Sequence, residues 1–344
     1  GTVADVAPLI GVNRAFVRQG LKILSTRQRL GLQMLIDKSG LNSTPTSYHL
    51  GYILGPKLNA PGRIGPSDLA IKLLCSNSIS EATNLCEEIE ELNLKRKEIE
   101  NNVREEALEK VDKNQAKNSI IWAAADGWHP GVVGIVASRL KDKFNKPALV
   151  IGFDGIEGKG SGRSVDGYDL GFAIQRLQRE GLIQKGGGHK MAAGLSLKKD
   201  QLQTAMHRLC ELAEKDKIIT PEAQEVPVDG ILFIQAVNID LIEELENCGP
   251  FGSAIREPRF AFCDVSISFS KRVGDTHLKV RFSDDNGKSM DAICFRAFEG
   301  NLGAALAEHG GKKVHLVGKL DINYWQGKKS PQLIIDDAAW PEKL

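Results

Sequence analysis

Residues 119–153, SIIWAAADGWHPGVVGIVASRLKDKFNKPALVIGF, hold a short apolar run, a stretch with helical period and a second apolar run. Ser119 to Ala125 reads as a buried strand, Val132 to Phe144 as a helix, and Pro147 to Phe153 as another strand. Strand, helix and strand in so short a span form a βαβ unit. The two strands should therefore pair in parallel, because a parallel pair needs a crossover of a dozen or more residues.

The pattern continues downstream. A third strand carries Gly160-Ser161-Gly162-Arg163-Ser164-Val165, a helix runs from about Asp169 to Arg179, and Ala192 to Leu197 with a helix near Lys199 to Lys215 closes an α/β domain. Between these lies Lys185-Gly186-Gly187-Gly188-His189-Lys190-Met191-Ala192-Ala193-Gly194. Three glycines can turn successive amides inward around a phosphate, so this segment is expected to be an anion-binding loop. The plain alternative is a glycine-rich turn between helix and strand.

Upstream, Leu85, Ile89, Leu92, Ile99, Val103, Ala107 and Val111 recur at helical steps amid dense Glu, Lys and Asn. They predict one long amphipathic helix, capped at Ser80 and free of Gly and Pro from Glu81 to Gln115. Residues 1 to about 76 alternate apolar runs with turn clusters and read as the end of an α/β domain. After Pro221 the chain turns β-rich: Arg259 to Ser270, His277 to Phe282, Met290 to Phe295, Lys313 to Asp321, and a hairpin turning at Gln326-Gly327. Short strands at this spacing fit a small barrel of the oligonucleotide-binding kind.

Composition sets limits. The 344 residues exceed one core's usual size, so two or three domains are expected. Apolar residues make up 42% and charged residues 26%, as in an ordinary soluble protein, and no segment reaches membrane-span length. Net charge is +1, so a nucleic-acid partner must be held by local basic patches. The six cysteines are scattered without zinc-ligand spacing, which fits a reduced cytoplasmic compartment. The sequence opens on Gly1 within the apolar run Gly1-Thr2-Val3-Ala4-Asp5-Val6, which reads as the cut end of a longer protein.

Several residues could carry chemistry. Arg163, beside Ser161 and Ser164, offers a guanidinium and hydroxyls to a terminal phosphate; Arg63, behind Asn59-Ala60-Pro61-Gly62, could aim at a phosphodiester. His189 could bond a phosphate or move a proton, or it could bond only its own backbone. Trp128-His129-Pro130-Gly131 either presents helix-entry amides to a ligand or is a buried turn. Asp5 could hold a hard divalent cation, but no D-H-H, D-x-D or H-x-x-x-H cluster accompanies it. In the barrel, Lys279 and Arg281 alternate with Leu278 and Val280 as one basic face. Tyr324 and Trp325, with Lys319 nearby, could stack bases or belong to the core.

Taken in order, Gly1 to Leu9, Leu58 to Arg63, Trp128 to Leu140, Gly160 to Ser164 and the glycine block resemble the DHH/DHHA1 phosphoesterase superfamily, and within it the bacterial single-strand-specific exonucleases, over essentially the whole chain. The resemblance implies an α/β architecture in four parts: 1–78 as the C-terminal remnant of a DHH domain, 79–115 as a connecting helix, 116–220 as a DHHA1 domain, and 221–344 as an OB-like barrel. It implies a 5′→3′ exonuclease of DNA repair and recombination, using two Mn²⁺ or Mg²⁺ ions, with single-stranded DNA, a single-strand-binding protein and a helicase as partners. Asp5 falls on a metal-binding aspartate. Ser161 and Arg163, with Gly186, Gly187 and Gly188, fall on the grip for the 5′-phosphate, and Arg63 and His189 fall beside the scissile bond. The family's earlier acidic motifs do not occur in this chain, so it is expected to bind single strands without cleaving them. The alternatives are a phosphodiesterase acting on nanoRNA or cyclic dinucleotides, which the extra barrel argues against, and a purely binding module.

Overall fold

The computed structural model describes residues 1–111, 118–216 and 225–341. Among the described residues, five α-helices precede the first strand: α1 (Gly11–Ser25), α2 (Leu30–Lys38), α3 (Gly55–Ile64), α4 (Leu69–Cys75) and α5 (Ile79–Lys110), with a π-helical segment, His49–Leu54, leading into α3. Residues 1–78 contain no strand, so the expected end of an α/β domain is helical throughout. The segment before Arg63 is likewise no turn. Pro61 sits inside α3, and Gly65 N–H bonds back to its carbonyl.

Helix α5 is the long helix that the sequence predicts, with its cap moved. Ser78, not Ser80, holds the N-cap position, and its hydroxyl accepts from Glu81 N–H. The helix ends at Lys110, and the part of the predicted helix beyond Val111 lies outside the described residues. Two apolar clusters use it. Ala82, Leu85, Cys86 and Ile89 pack with Leu35, Ile36, Leu69 and Leu73, whereas Val103 and Ala107 pack under the sheet.

That sheet combines β1 (Ile121–Asp126), β2 (Ala148–Asp154), β3 (Glu157–Arg163), β4 (Lys185–His189) and β5 (Ala192–Lys198), with α6 (Pro130–Phe144), α7 (Leu170–Arg179) and α8 (Leu202–Lys215) around it. Strand order is β1-β2-β3-β5-β4. The β1–β2 pair is parallel, as the βαβ reading requires, and the remaining pairs are antiparallel. Alternation divides the side chains between two faces. Ile121, Ala123, Ala148 and Val150 meet α6 and α5; Leu149, Ile151, Leu195 and Leu197 meet α7 and α8.

The glycine block is the main departure from expectation. Residues 185–189 form the edge strand β4, extended and paired along its length with β5, so their amides do not converge on a phosphate. Two of its glycines are there to let the other face pack. A Cβ at Gly186 would lie 2.6 Å from Ile174, and one at Gly188, where φ is +156°, would lie 2.3 Å from the Ala192 carbonyl.

Residues 1–23, 45–48 and 223–344 make up a second compact unit, apart from the one built by 24–44 and 49–222. It holds β6 (Gly230–Ile231), α9 (Ile239–Asn247), β7 (Phe260–Val273), β8 (His277–Ser283), β9 (Ser289–Cys294), α10 (Leu302–Ala307), β10 (Lys313–Trp325) and β11 (Lys328–Ala339). Strands β7, β8, β9, β11 and β10 pair in that order, and β10 returns to β7, which closes a five-stranded barrel and leaves no open edge. Phe262 and Phe282 meet edge to face in its core, 5.5 Å between centroids. In the same unit Arg14 and Arg18 donate to the carbonyls of Cys248 and Asn247, at the end of α9.

Candidate nucleic-acid interface

Helix α6 organises the first group of site residues. Trp128 is buried and donates its indole N–H to Glu106 at 2.8 Å; His129 caps the helix, its Nδ1 accepting from Gly131 N–H at 3.0 Å. Pro130 has no N–H, and Val132 N–H bonds the His129 carbonyl. The first-turn donors are thus already used, and the expectation of amides facing a ligand near Gly131 gives way to the buried helix-entry turn.

What α6 does present is closeness. A Cβ on Gly131 would lie 2.2 Å from the Arg63 carbonyl, while Arg63 Nη1 donates to the Gly131 carbonyl at 3.0 Å. One turn later, a Cβ on Gly134 would lie 3.0 Å from Ser161 Oγ and 3.2 Å from Arg163 Nη2. Two glycines therefore bring two arginines to the same end of one helix. Arg163 Nη1 donates to Ser161 Oγ at 3.1 Å and to the Gly162 carbonyl at 2.9 Å. Among the described residues, neither Arg63 nor Arg163 has a carboxylate within ion-pair distance. Desolvation lowers both guanidinium pKa values, and mutual repulsion adds to it: Arg96 acts on Arg63, and Arg63 on Arg163.

Behind this pair lies a polar seam on α5. Asn93, Arg96 and Glu100 are buried, with Arg96 Nη1 2.5 Å from Glu100, Arg96 Nη2 3.2 Å from Asn93, and Arg139 of α6 3.8 Å from Glu100. One carboxylate thus faces several guanidiniums. Glu100 raises the Arg63 pKa slightly against the larger lowering effects. Sequence reasoning missed this seam, although its signal was present: residues 89, 93, 96, 100, 103 and 107 follow the buried face of the helix, and three of them are polar.

The sheet carries the second group. Arg163 and His189 are both direct partners of Ala192; Ser161 and Gly187 are both partners of Gly194; Lys159 and Lys185 are both partners of Ser196. Directly paired residues share a face, as do residues two apart. Ser161, Arg163 and His189 therefore lie on the face against which α6 packs, chiefly over β2 and β3. His189 is exposed at the end of β4.

The barrel residues are dispersed. Lys279 and Arg281 both reach Asp291, at 3.6 and 2.6 Å, so much of that basic face is neutralised internally. Lys319 pairs with Glu257 at 3.2 Å. Tyr324 and Trp325 are surface residues, 66% and 69% exposed, and Lys329 lies 5.5 Å from the Tyr324 ring centroid. Phe269 is a further exposed aromatic that sequence reasoning missed. Counting alternately from Val265 and Ile267 puts it inside, but a register shift after Ile267 turns it outward opposite Arg281.

Family models described as the DHHA1 domain and the RecJ OB domain match residues 117–215 and 228–337. Over 351 residues the chain is 35% identical to the single-stranded-DNA-specific exonuclease RecJ of Bacillus subtilis (strain 168), a match that takes in 99% of this chain and 43% of that protein. The chain is a RecJ homologue. The crystal structure of Thermus thermophilus RecJ in complex with Mn²⁺ aligns over all of this chain and 49% of its own length, with a TM-score of 0.84 and 27% identity. The Mg²⁺ complex aligns over 99% of this chain and 51% of its own, with a TM-score of 0.82 and 26% identity. The chain thus spans about half the length of these RecJ proteins.

Those RecJ structures hold divalent ions, and the residues described here do not assemble a site for one. Asp5 is exposed in a turn of the barrel-bearing unit, its N–H bonded to the Gly1 carbonyl. No group of three or more His, Cys, Asp or Glu suited to a metal occurs among the described residues. A hard cation with six or more oxygen ligands cannot be built on one exposed carboxylate. Among the described residues, no helix is long and apolar enough to cross a membrane.

Proposed function

We propose that this chain is the DNA-gripping part of a RecJ-type 5′→3′ single-strand exonuclease acting in repair and recombination. One observation carries the reading: Arg63 and Arg163, without carboxylate partners among the described residues, approach α6 at Gly131 and at Gly134. Two desolvated guanidiniums that repel each other are stabilised by an anion between them, and a phosphate accepts from both. Arg163 and Ser161 take the 5′-terminal phosphate. Arg63 holds the following phosphodiester, and His189, exposed on the same sheet face as Arg163, is placed to exchange a proton there. Metal-dependent hydrolysis belongs to the intact enzyme, with Asp5 as one of its carboxylates.

The test compares 5′-phosphorylated and 5′-hydroxyl oligothymidylates by fluorescence anisotropy. The phosphorylated strand should bind more tightly, and Arg163→Ala should erase the difference. Equal affinity of the unsubstituted protein for both strands would refute the assignment. Binding should also weaken steeply with salt.

A further inference from the structure

Helix α5 buries an ion pair that its packing does not call for. Ile89, Asn93, Arg96, Glu100, Val103 and Ala107 form one buried face, apolar at both ends and polar in the middle. Apolar residues of like size are often as stable as a buried ion pair, because two charges must be desolvated to form it. Arg96 adds a further cost, since its Nε is buried without a hydrogen-bond partner among the described residues. Stability alone therefore gives no reason for charge at this place.

The end of α3 lies over the pair. An added Cβ at Gly65, two residues after Arg63, would lie 3.1 Å from Leu92 of α5, and Ile64 packs against the cluster that holds Val103 and Ala107. Helix α6 closes the third side, where Arg63 Nη1 donates to the Gly131 carbonyl and Arg139 stands 3.8 Å from Glu100. The two guanidiniums are held differently. Arg96 is pinned on both sides, to Glu100 at 2.5 Å and to Asn93 at 3.2 Å. Arg63 is exposed, and its one hydrogen bond among the described residues goes to a backbone carbonyl. A fixed charge behind a loosely held charge of the same sign pushes it outward. Arg96 does repel Arg63, and Glu100 offsets that repulsion only in part.

We propose that Asn93, Arg96 and Glu100 are positioning residues for Arg63: Arg96, pinned from behind and never touching DNA, keeps the Arg63 guanidinium turned outward and short of counter-charge, so that a backbone phosphate completes its surroundings. The inference rests on the assignment of Arg63 to a phosphodiester above and adds three residues that act only through it. Glu100 and Asn93 anchor the pinned charge, and Arg96 supplies the push. An arriving phosphate relieves the repulsion between Arg96 and Arg63, which no solvent-exposed arginine elsewhere on the helix could do for it.

Arg96→Met with Glu100→Leu tests the idea, because it removes both buried charges and leaves the net charge unchanged. The expected result is a denaturation midpoint no lower than that of the wild type, together with a drop in affinity for a 5′-phosphorylated oligothymidylate on the order of tenfold, about the worth of one hydrogen bond to a charged group. In an Arg63→Ala background the same pair of substitutions should lower affinity no further, a coupling that a general structural defect does not produce. Wild-type affinity in the double variant, alongside weakened binding in Arg63→Ala, would overturn the positioning role and leave the phosphate assignment of Arg63 intact. If Arg63→Ala binds as wild type, that assignment falls and the positioning role with it. An equal loss in both backgrounds refutes the role too, since the seam then acts on something other than Arg63. Should the double variant lower the midpoint, Arg96→Lys and Arg96→Gln decide: both lose the planar fork and only lysine keeps the charge, so lysine should bind the strand more tightly, and equal affinities refute the role.

Discussion

Arg163 and His189 are held on either side of Ala192, one on β3 and the other on β4, roughly 10 Å apart at two strand spacings and on a common face. That separation suits different duties on one substrate. In the intact nuclease, Arg163→Ala should raise KM for a 5′-phosphorylated strand more than it changes kcat, because the proposed grip holds the terminal phosphate in ground and transition states alike. His189→Ala should instead lower kcat by about 10² to 10⁴, the usual value of a positioned proton donor or acceptor, with KM little moved. Steady-state kinetics on both variants would separate the roles, and a pure KM effect of His189→Ala would remove it from the chemistry.

Gly131→Ala should destabilise the unit formed by 24–44 and 49–222. Its Cβ would fall 2.2 Å from the Arg63 carbonyl, a backbone atom that cannot rotate away, so α3 and α6 must part. The expected cost is about 1–3 kcal/mol, as for an overpacked core, read from urea denaturation. The same variant should weaken 5′-phosphate binding, since Arg63 is placed by that close approach.

Glu100→Gln should cost more than the double replacement Arg96→Met with Glu100→Leu. Removing the carboxylate alone leaves buried guanidiniums facing each other, worth about 3–5 kcal/mol in comparable buried pairs, whereas removing both charges also removes the desolvation penalty. Denaturant midpoints of the two variants decide the order.

The sheet, the long helix and the barrel were legible in the sequence because period-2 and helical alternation report directly which side of an element is buried. The glycine block was legible as a site and misleading as a shape. Composition shows that glycine is tolerated at 186–188, but only the neighbours show that Gly186 and Gly188 serve packing while Gly187 does not. Phe269 was hidden by a bulge that reverses alternation within one strand. Arg96 and Glu100 were hidden in plain view, since charges on a highly charged helix read as solvated unless their place on its buried face is counted. Arg63 was legible as a candidate, but not the helical Pro61 that precedes it.

Acid should loosen the α7–α8 contact through Glu180. Hydrogen bonds from Arg208, then from Arg176, lower its pKa to about 2. A folded-state pKa below the unfolded one contributes stability that is complete above the ordinary glutamate value and is lost as pH falls toward 2. Thermal midpoints of the wild type and Glu180→Gln should therefore differ near neutrality and converge across that acidic range. A gap that widens on acidification would contradict the assignment.

The purified chain should bind a 5′-phosphorylated single strand but should not degrade it when Mn²⁺ is supplied. A two-ion hydrolase needs several carboxylate or histidine ligands around each centre, and Asp5 stands in an exposed turn with no such group among the described residues. Binding and cleavage should thus come apart. Anisotropy should report a complex whose affinity depends on Arg163, and calorimetry should find at most one weak Mn²⁺ site, abolished in Asp5→Asn. Mn²⁺-dependent release of nucleotides that Arg163→Ala abolishes would show that the chain holds a working metal centre after all. Release unchanged by that substitution would point to a contaminating nuclease.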